Sequence, residues 1–584
     1  MFRSKNRLGG KAQTLGVILD WLGDPYQATI CDGIEQGAAH AGANLLFFIG
    51  GPLATTSEGA PRHQVYELAG RHNLDGLIVL SSTLSHGVGP AGVQSFCEQF
   101  SGLPLCSVGM PLPNTRSVTI NNESGMAKLV SHLIEQHQAR RIAMVTGPSA
   151  NAESDMRLDA YRATLARHGL AADEQLVVTG TFMVESGAQA VRTLAKRFGP
   201  RLEQLDAIVA ANDNMAIGVM DELAKLGITV PDRIAVVGFD DIEEARLTEP
   251  GLTTARQPLD RIGTEAVRRL LQSGREAEDL EMRIGTELVL RQSCGCSAIR
   301  VSARSSIPTK QRFQIALMGQ RERIAAQLGR AASGRFSAAG PGWEQALLGA
   351  LLDDLLAGRP KHFAPAAERL LQRLAAARVD LNAVDEVLSA LREELVPLLQ
   401  AEPEKHRFAE DLFHAVRLSN SAALQRGFGR AHLALMRWAR RISVICNSIA
   451  LSKDHTELRA RCRDLLPQLG LRHYFACMYD VPGDASRARV VASSDPSGDA
   501  LAERAFRGRD LLPAELATVE GAGRSFAVLP LLGIDAVLGH VLLEYTAQHA
   551  FTCGAVSEAF SIALRNLPHC VPVHGPGAML TMPP

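Results

Sequence analysis

Short apolar runs alternate with amphipathic stretches from about residue 14 to residue 292. Most of the runs are continuously apolar, which is typical of parallel strands buried on both faces. The stretches between them, such as 28–42 and 157–169, carry apolar residues at helical spacing. The predicted strands are 14–20, 44–50, 74–80, 103–109, 117–122, 141–147, 175–180, 206–212, 234–241 and 286–292.

This alternation predicts an α/β fold built on doubly wound parallel sheets. Ten strands are too many for one small sheet, so we expect two similar lobes that divide near residues 120–140.

The pattern changes after residue 296. Residues 311–465 are predicted to be helical, and the stretch 410–458 fits either one long helix or two. Residues 466–567 predict an α+β domain of antiparallel strands closed by a helix. The predicted boundaries are an N-terminal tail at 1–13, the two-lobed domain at 14–296, a Ser-rich linker at 297–310, the helical segment at 311–465, the α+β domain at 466–567 and a disordered Pro/Gly-rich tail at 568–584.

Net charge, apolar runs and cysteine usage argue against several classes of protein. The net charge of −1 over 584 residues gives no electrostatic case for a nucleic-acid surface. The basic N-terminus has only a short apolar stretch, interrupted by Asp20, so we expect no signal peptide. The sequence has no long uncharged apolar run, so we predict no membrane span. The ten cysteines are mostly scattered, and without a secretion signal they predict reduced thiols and a cytoplasmic protein.

Polar and aromatic side chains follow the predicted strands, where open α/β sheets bind ligands. Together they offer an aromatic pair with hydroxyl, amide, carboxylate and guanidinium groups, a set that suits a polyhydroxylated ligand. Several positions also fit a structural role, because Asp213 could cap a helix and Asp240 could belong to a turn. The predicted ligand-binding residues are Asp20, Trp21, Tyr26, Ser81, Asn122, Arg157, Asn212, Asp213, Asp240 and Gln257.

The segment 207–258, AIVAANDNMAIGVMDELAKLGITVPDRIAVVGFDDIEEARLTEPGLTTARQP, resembles the sensor domain of LacI/GalR-type regulators. These sensors are periplasmic-binding-protein-like, type I, and the resemblance covers about residues 14–296. It implies that Asp213 of the AND motif, Asp240 of the GFDD motif and Arg157 of SDMRLDAY contact a ligand. It also implies a homodimer.

Two features depart from the family. Its DNA-binding members carry a helix-turn-helix of about 60 residues before this domain, whereas about 13 residues precede the first strand here. We therefore expect DNA binding, if any, to come from a partner or from the C-terminal half. The extension resembles receptors fused through a GAF-like domain to diguanylate cyclases or histidine kinases, and residues 466–567 resemble such a GAF domain in strand pattern.

The sequence favours binding over catalysis. It contains no Walker A loop, Gly-x-Ser-x-Gly elbow or HExxH helix, and Asp240 and Asp241 are expected to point apart on a turn. Cys294 and Cys296 are separated by one residue with no second Cys/His pair near them in the chain, which is a poor zinc pattern. We therefore predict neither an enzyme nor a bound metal or cofactor.

The sequence thus predicts a cytoplasmic sensor whose lobes close on a sugar-like or nucleoside-like ligand and which regulates transcription or signalling. A separate output partner would receive the signal. One alternative is the receptor part of a signalling enzyme, of the diguanylate cyclase or histidine kinase type, whose output domain is missing from this chain. Another alternative is a transport-type binding protein.

Overall fold

The computed structural model describes residues 13–53, 60–149, 151–272, 280–296, 319–377, 379–399, 402–501, 504–513, 515–516, 523–546 and 549–567. The chain forms two compact units, unit 1 (residues 1–298 and 442–584) and unit 2 (residues 299–441). The predicted linker at 297–310, the predicted C-terminal tail at 568–584 and residues 1–12 of the predicted N-terminal tail (1–13) lie outside the described residues.

All described strands belong to unit 1. They are β1 Thr14–Leu19, β2 Asn44–Ile49, β3 Gly76–Val79, β4 Leu105–Val108, β5 Arg116–Ile120, β6 Ile142–Thr146, β7 Val177–Thr179, β8 Ala207–Ala210, β9 Ala235–Val237, β10 Thr254–Arg256, β11 Glu281–Ile284, β12 Glu287–Val289, β13 Tyr474–Val481, β14 Asp484–Ser493, β15 Ser525–Leu532 and β16 Val537–Glu544.

The helices follow in chain order. They are α1 Pro25–Ala41, α2 Ala60–His63, α3 Ser81–Leu84, α4 Gly89–Glu98, α5 Asn122–His137, α6 Ala152–Arg167, α7 Val184–Phe198, α8 Asp213–Lys225, α9 Leu259–Leu271, α10 Arg321–Ala332, α11 Trp343–Ala357, α12 Phe363–Ala376, α13 Asn382–Leu399, α14 Pro403–Ala450, α15 His455–Leu465, α16 Ser497–Ala500 and α17 Ala550–Asn566.

The N-terminal half of unit 1 forms two lobes, as the alternating pattern predicts. In the first lobe the parallel strands lie in the order β2-β1-β3-β4-β5-β11. In the second lobe they lie in the order β7-β6-β8-β9, beside the small antiparallel pair β10-β12. All ten predicted strands of this half are present, and the structure adds the short strands β10 and β11, which the pattern misses.

Side-chain caps fix where the helices begin after these strands. Asp24, Asn121, Asn151 and Asn212 each accept a hydrogen bond from a backbone N–H in the first turn of α1, α5, α6 and α8, respectively. A cap satisfies a backbone donor that would otherwise lack a partner in the helix. The short polar residues that follow the strands therefore direct each helix away from the sheet edge at a defined position.

The C-terminal strands extend the first lobe. Strands β13 to β16 pair antiparallel, as predicted, and β15 then pairs parallel with β2, so that ten strands form one sheet in the described residues. Leu46 and Phe48 of β2 share a core with Phe526 of β15, and the rings of Phe47 and Tyr545 are 4.4 Å apart. The C-terminal domain is thus joined to the first lobe by a continuous sheet; its GAF-like character stays a prediction.

Unit 2 is helical, as predicted. Leucines and phenylalanines at three- and four-residue spacing form its core, among them Leu351, Leu391 and Phe413. The stretch 410–458, which fitted one helix or two, covers all but the first residues of the long helix α14 and then the start of α15; unit 1 resumes at Ile442, within α14. Among the helices of the described residues, none has the length and apolar character needed to cross a membrane.

Candidate functional site: the cleft between the lobes

A cavity of about 610 Å3 opens between the two lobes of unit 1. This volume is within the range of small-molecule sites in proteins. Its walls come from the segments that follow β1, β2 and β3 in the first lobe and β6, β7, β8 and β9 in the second. Six of the predicted residues line it, namely Asp20, Trp21, Tyr26, Arg157, Asn212 and Asp240.

Arg157 is the cation of the second-lobe wall. It lies on α6, and its side chain is 3% exposed. Its Nε donates to Asn122 Oδ1 at 2.7 Å, and its Nη1 donates to the carbonyl oxygen of Ala211 at 2.6 Å. The guanidinium carbon lies 4.0 Å from the ring centroid of Phe239, a distance that allows a cation–π contact. These contacts hold the guanidinium in one orientation before any ligand arrives.

Two carboxylates accompany this guanidinium. Asp240 Oδ1 lies 3.6 Å from Arg157 Nη1, and Glu153 Oε1 lies 3.7 Å from Nη2. Burial raises the pKa of Asp240 well above its usual range; Arg157 opposes this rise, and the neighbouring Asp213 and Glu153 add to it. The second lobe thus places one cation between two buried acids, which suits a polar but neutral ligand better than an anion.

The backbone is unusual at the turn after β9. Asp240 has a φ of 121° and Asp241 a φ of 60°, both in the left-handed region that non-glycine residues rarely adopt. Asp241 accepts hydrogen bonds from Arg256 Nε at 2.6 Å and Arg291 Nη2 at 2.5 Å. Asp240 lines the cavity instead. The two acids therefore point apart, as predicted.

The structure directs Asp213 away from the cavity. Its Oδ1 accepts a hydrogen bond from Thr254 Oγ1 at 2.6 Å, and its Oδ2 accepts one from the Ile242 N–H at 3.0 Å. A Cβ on Gly238 would lie 2.2 Å from Asp213 Oδ1, so the carboxylate occupies the space that this glycine leaves. Burial raises the pKa of Asp213 to about 7. Asp213 supports the Asp240 turn, and its ligand contact stays a prediction.

The first-lobe wall presents acceptors that lack partners. In the described part of the chain, Asp20 Oδ1 and Gln27 Oε1 are buried without a hydrogen-bond partner, and both residues line the cavity. Burial raises the pKa of Asp20. Since buried acceptors are rarely left unpaired, these two atoms are positioned to accept hydrogen bonds from ligand hydroxyl groups.

Aromatic groups flank these polar walls. Trp21 is 49% exposed at the cavity wall, and the Arg62 guanidinium carbon lies 5.8 Å from its ring centroid. His86 and Phe182 line the cavity with ring centroids 5.5 Å apart, and burial lowers the pKa of His86. An aromatic face can cover the apolar face of a sugar ring.

A hydrogen bond connects the lobes at one end of the cleft. Asn151, which caps α6, donates through Nδ2 to the carbonyl oxygen of Ser82 at 3.2 Å. Tyr26 makes a second link, since its hydroxyl donates to Gln257 Oε1 at 3.5 Å. The lobes therefore already touch through polar side chains in this state.

Three further predicted residues are not among those that line the cavity. Asn122 lies behind Arg157 and donates to Glu153 Oε1 at 3.4 Å. Gln257 lies between Tyr26 and Asp240 and donates to the Asp240 carboxylate. Ser81 faces β4, where its Oγ accepts from Ser107 Oγ at 2.7 Å, and the neighbouring Ser82 lines the cavity instead.

Several cavity residues escape the strand-end argument. Most of these residues lie at least one helical turn beyond the end of a strand, and one lies on the loop after β7. The main ones are Gln27, His86, Glu153, Phe182 and Asn214. One signal could have found Glu153, because it stands four residues before Arg157 on α6 and can pair with it.

A second group of polar side chains lies outside the cleft. His132 and His137 of α5 lie beside Cys294 and Cys296, with one potential ligand atom of each within 4.8 Å of the others. The zinc pattern looks poor along the chain because the histidines are about 160 residues away from the cysteines. In the folded chain a histidine pair does lie beside the cysteine pair, so the sequence reason for expecting no metal is wrong. The absence of a metal itself stays a prediction.

Comparison with known proteins supports the class that the fold defines. Residues 130–294 match the family model of the periplasmic binding protein-like domain. The HTH-type transcriptional regulator CelR of Thermobifida fusca is 32% identical over 277 residues, which cover 46% of this chain and 76% of CelR. The HTH-type transcriptional regulator GalR of Escherichia coli K12 is 28% identical over 292 residues, or 50% of this chain and 81% of GalR.

Among solved structures, a CelR–cellobiose complex is 28% identical, with a TM-score of 0.42, and the match covers 48% of this chain and 84% of that chain. The two lobes with parallel sheets and the match of residues 130–294 agree in placing this half of the chain in the periplasmic-binding-protein-like class. The chain belongs to the LacI/GalR family. Its named relatives are transcriptional regulators.

Proposed function

We propose that this protein is a sensor whose two lobes bind a neutral sugar or a nucleoside in the cleft and thereby regulate transcription or signalling. The observation that carries the proposal is the pair of buried acceptors, Asp20 Oδ1 and Gln27 Oε1, that face an oriented guanidinium across the cavity. Family membership supports it, as does the cellobiose in the related CelR complex.

The chemistry favours binding. Ligand hydroxyls would donate to Asp20, Gln27 and Asp240 and accept from Arg157, while Trp21 and Phe182 would cover the apolar ring faces. Asp240 and Glu153 each lie within 4 Å of the Arg157 guanidinium. Charge neutralisation, rather than proton transfer, is the role that this arrangement supports.

Lobe closure would carry the signal. A ligand that contacts both walls would favour the closed state through its higher affinity for that state. The parallel pairing of β15 with β2 offers a route from the first lobe into the C-terminal domain. An output partner of a cytoplasmic sensor would then respond to that domain or to unit 2.

We also propose that the protein is a homodimer paired through α14. Phe428, Ala431 and Leu435 follow the 3-4 spacing of a coiled-coil seam, and Leu424, four residues before Phe428, packs partly against the core of unit 2. Phe428 is 57% exposed and Leu435 is 65% exposed. These exposed apolar side chains would gain stability from burial against a second copy.

The dimer is tested by light scattering after size exclusion. We expect twice the chain mass for the unmodified protein and a shift towards monomer for Phe428→Glu/Leu435→Glu. The control is Leu433→Glu, an exposed leucine on the opposite face of α14. A monomeric unmodified protein, or dissociation by the control alone, would contradict the seam.

The ligand is tested by thermal shift on the full chain with mono- and disaccharides, cellobiose among them, and with nucleosides. A ligand at 100 times its dissociation constant adds about 2.7 kcal/mol of stability. We expect a shift that Asp20→Ala reduces by at least about half and that Asp32→Ala, which changes an exposed acid on α1 outside this cavity, preserves. If no compound shifts the unfolding temperature, or if Asp20→Ala keeps the full shift, the proposed site is wrong.

A further inference from the structure

The side chains of His132, His137, Cys294 and Cys296 form a compact cluster in unit 1, separate from the residues that line the cleft cavity. The two histidines lie on the last turns of α5, and His137 is its final residue. Cys294 ends a 3-10 turn that spans Gln292–Cys294, and Cys296 follows two residues later. The cluster therefore connects the end of a second-lobe helix with the last described residues of the sensor domain.

The distances within the cluster match those of a tetrahedral metal site. With Zn–N bonds of about 2.05 Å and Zn–S bonds of about 2.3 Å, the ligand atoms of a zinc tetrahedron are about 3.3 Å apart for N···N and about 3.6 Å for N···S. Here His132 Nε2 and His137 Nε2 are 3.2 Å apart. His132 Nε2 lies 3.6 Å from Cys294 Sγ and 3.4 Å from Cys296 Sγ, and His137 Nε2 lies 3.5 Å from Cys296 Sγ.

The surroundings suit thiolate and imidazole ligands. Cys294 is 2% exposed and His132 is 9% exposed, and neither cysteine forms a disulfide. Thr253 Oγ1 donates to Cys294 Sγ at 3.1 Å, which is the outer-shell hydrogen bond that a bound thiolate favours.

The residue between the two cysteines is a glycine, which allows the backbone to pass close to His137. Gly295 has a φ of 99°, a conformation that favours glycine. A Cβ at this position would lie 3.2 Å from Cε1 and Nδ1 of His137. The backbone therefore passes close to one imidazole while Cys294 and Cys296 both direct sulfur atoms towards the histidines.

We propose that His132, His137, Cys294 and Cys296 bind one Zn2+ ion and that this ion fastens the end of the sensor domain to α5. Two imidazoles and two thiolates complete a tetrahedral set, so the site has a structural role with no position left for a substrate. Binding releases the protons of the two thiols, and its free energy adds to folding stability. The proposal is independent of the ligand that occupies the cleft.

The test measures zinc in the full chain, purified without a metal-affinity step, by elemental analysis after incubation with Zn2+ and removal of the excess. We expect about one equivalent per chain, and Co2+ in its place should give the visible absorption of a tetrahedral thiolate site. Cys294→Ser/Cys296→Ser and His132→Gln should lose the metal. The controls, Cys446→Ser and His40→Gln, replace the same residue types outside the cluster and should keep it.

Each other outcome overturns the proposal. A folded chain that holds no zinc after incubation would show that the four side chains lie together without binding a metal. Zinc that persists in the double cysteine variant would be bound elsewhere. A disulfide between Cys294 and Cys296, detected by mass spectrometry in protein freshly isolated from cells, would assign the pair to redox chemistry. Because Cys294→Ser/Cys296→Ser could unfold, circular dichroism of the Co2+-free variants completes the measurement.

Discussion

The two walls of the cleft differ in how much of their polar chemistry is already satisfied. In the second lobe, Arg157 is bonded to Asn122 and Ala211 and lies between two buried acids. In the first lobe, Asp20 Oδ1 and Gln27 Oε1 are buried without partners in the described residues. The second lobe thus provides an orienting wall that is complete without ligand, whereas the first lobe provides acceptors that only a ligand would satisfy. Changes in the second wall should therefore lower stability, and changes in the first should mainly lower affinity.

The largest effect is expected for Arg157→Ala. Removing the guanidinium leaves Asp240 and Glu153 buried without their cation, and breaking a buried ion pair in this way costs about 3–5 kcal/mol. Chemical denaturation of the full chain measures the loss. Arg162→Ala, on the exposed side of the same helix, serves as the control and should change stability by less than about 1 kcal/mol. If both variants lose the same free energy of unfolding, the buried Arg157 contributes no more to stability than an exposed arginine, and the proposed role of the second wall is wrong.

A pH effect should follow from Asp213. Its pKa is about 7 in the folded chain and near 3.8 in the unfolded chain, so between pH 4 and 7 only the unfolded state loses the proton. This group therefore stabilises the fold fully below pH 4, and its contribution falls as pH rises to 7. Asp213→Asn removes that dependence. Between pH 4 and 7, the free energy of unfolding of the variant should rise relative to that of the unmodified protein by at most about 4 kcal/mol.

Denaturation at several pH values checks the sign. Asp206→Asn is the control, because Asp206 is an acid in the same lobe and accepts its hydrogen bonds from backbone N–H groups at the surface. A stability difference between Asp213→Asn and the unmodified chain that stays constant from pH 4 to 7 would show that Asp213 is ionised throughout.

Asp20→Ala tests the first wall. The substitution removes Asp20 Oδ1, which has no hydrogen-bond partner in the part of the chain that the structure describes, so the free energy of unfolding should change little. A hydrogen bond to a charged group contributes about 1.5–3 kcal/mol, so the affinity for the ligand should fall between about 10-fold and 150-fold. Calorimetric titration measures the affinity, and denaturation measures the stability. A large stability loss with unchanged affinity would reverse the proposed difference between the walls.

The smallest effect is expected for Trp21→Ala. Because the ring is 49% exposed, its removal should change stability by less than about 1 kcal/mol. Loss of a stacking surface should weaken ligand binding about tenfold, which corresponds to about 1.4 kcal/mol. Calorimetry again measures the binding, and Trp21→Phe should recover part of the affinity. If Trp21→Ala binds as well as the unmodified chain, the tryptophan only borders the cavity.

The sequence predicts most of the strands because buried parallel strands are continuously apolar. It misses β10 and β11, which are three and four residues long and include charged residues, so neither gives a hydrophobic run. It also cannot reveal the pairing of β15 with β2, since those strands are nearly 480 residues apart and each reads only as an apolar segment.

The sequence predicts which polar residues follow each strand, but it does not predict which of their side chains point into the cavity. Asp213 and Asp240 both follow strands, yet only Asp240 lines the cavity, because the left-handed turn after β9 and the bonds to Thr254 and Ile242 decide which way each carboxylate points. The Cys/His cluster shows the same limit, since His137 and Cys296 are 159 residues apart in the sequence and lie side by side only in the folded chain.

The central claim is that the ligand binds in the cleft against Trp21. The chain has three tryptophans, so Trp343→Phe/Trp438→Phe leaves Trp21 as the single reporter of the cavity. Its fluorescence is titrated with the sugar or nucleoside that raises the unfolding temperature most. The account predicts a saturable change in the emission of Trp21, with the same dissociation constant as calorimetry gives. Emission that stays unchanged while the ligand still stabilises the protein would place the binding site elsewhere and contradict the account.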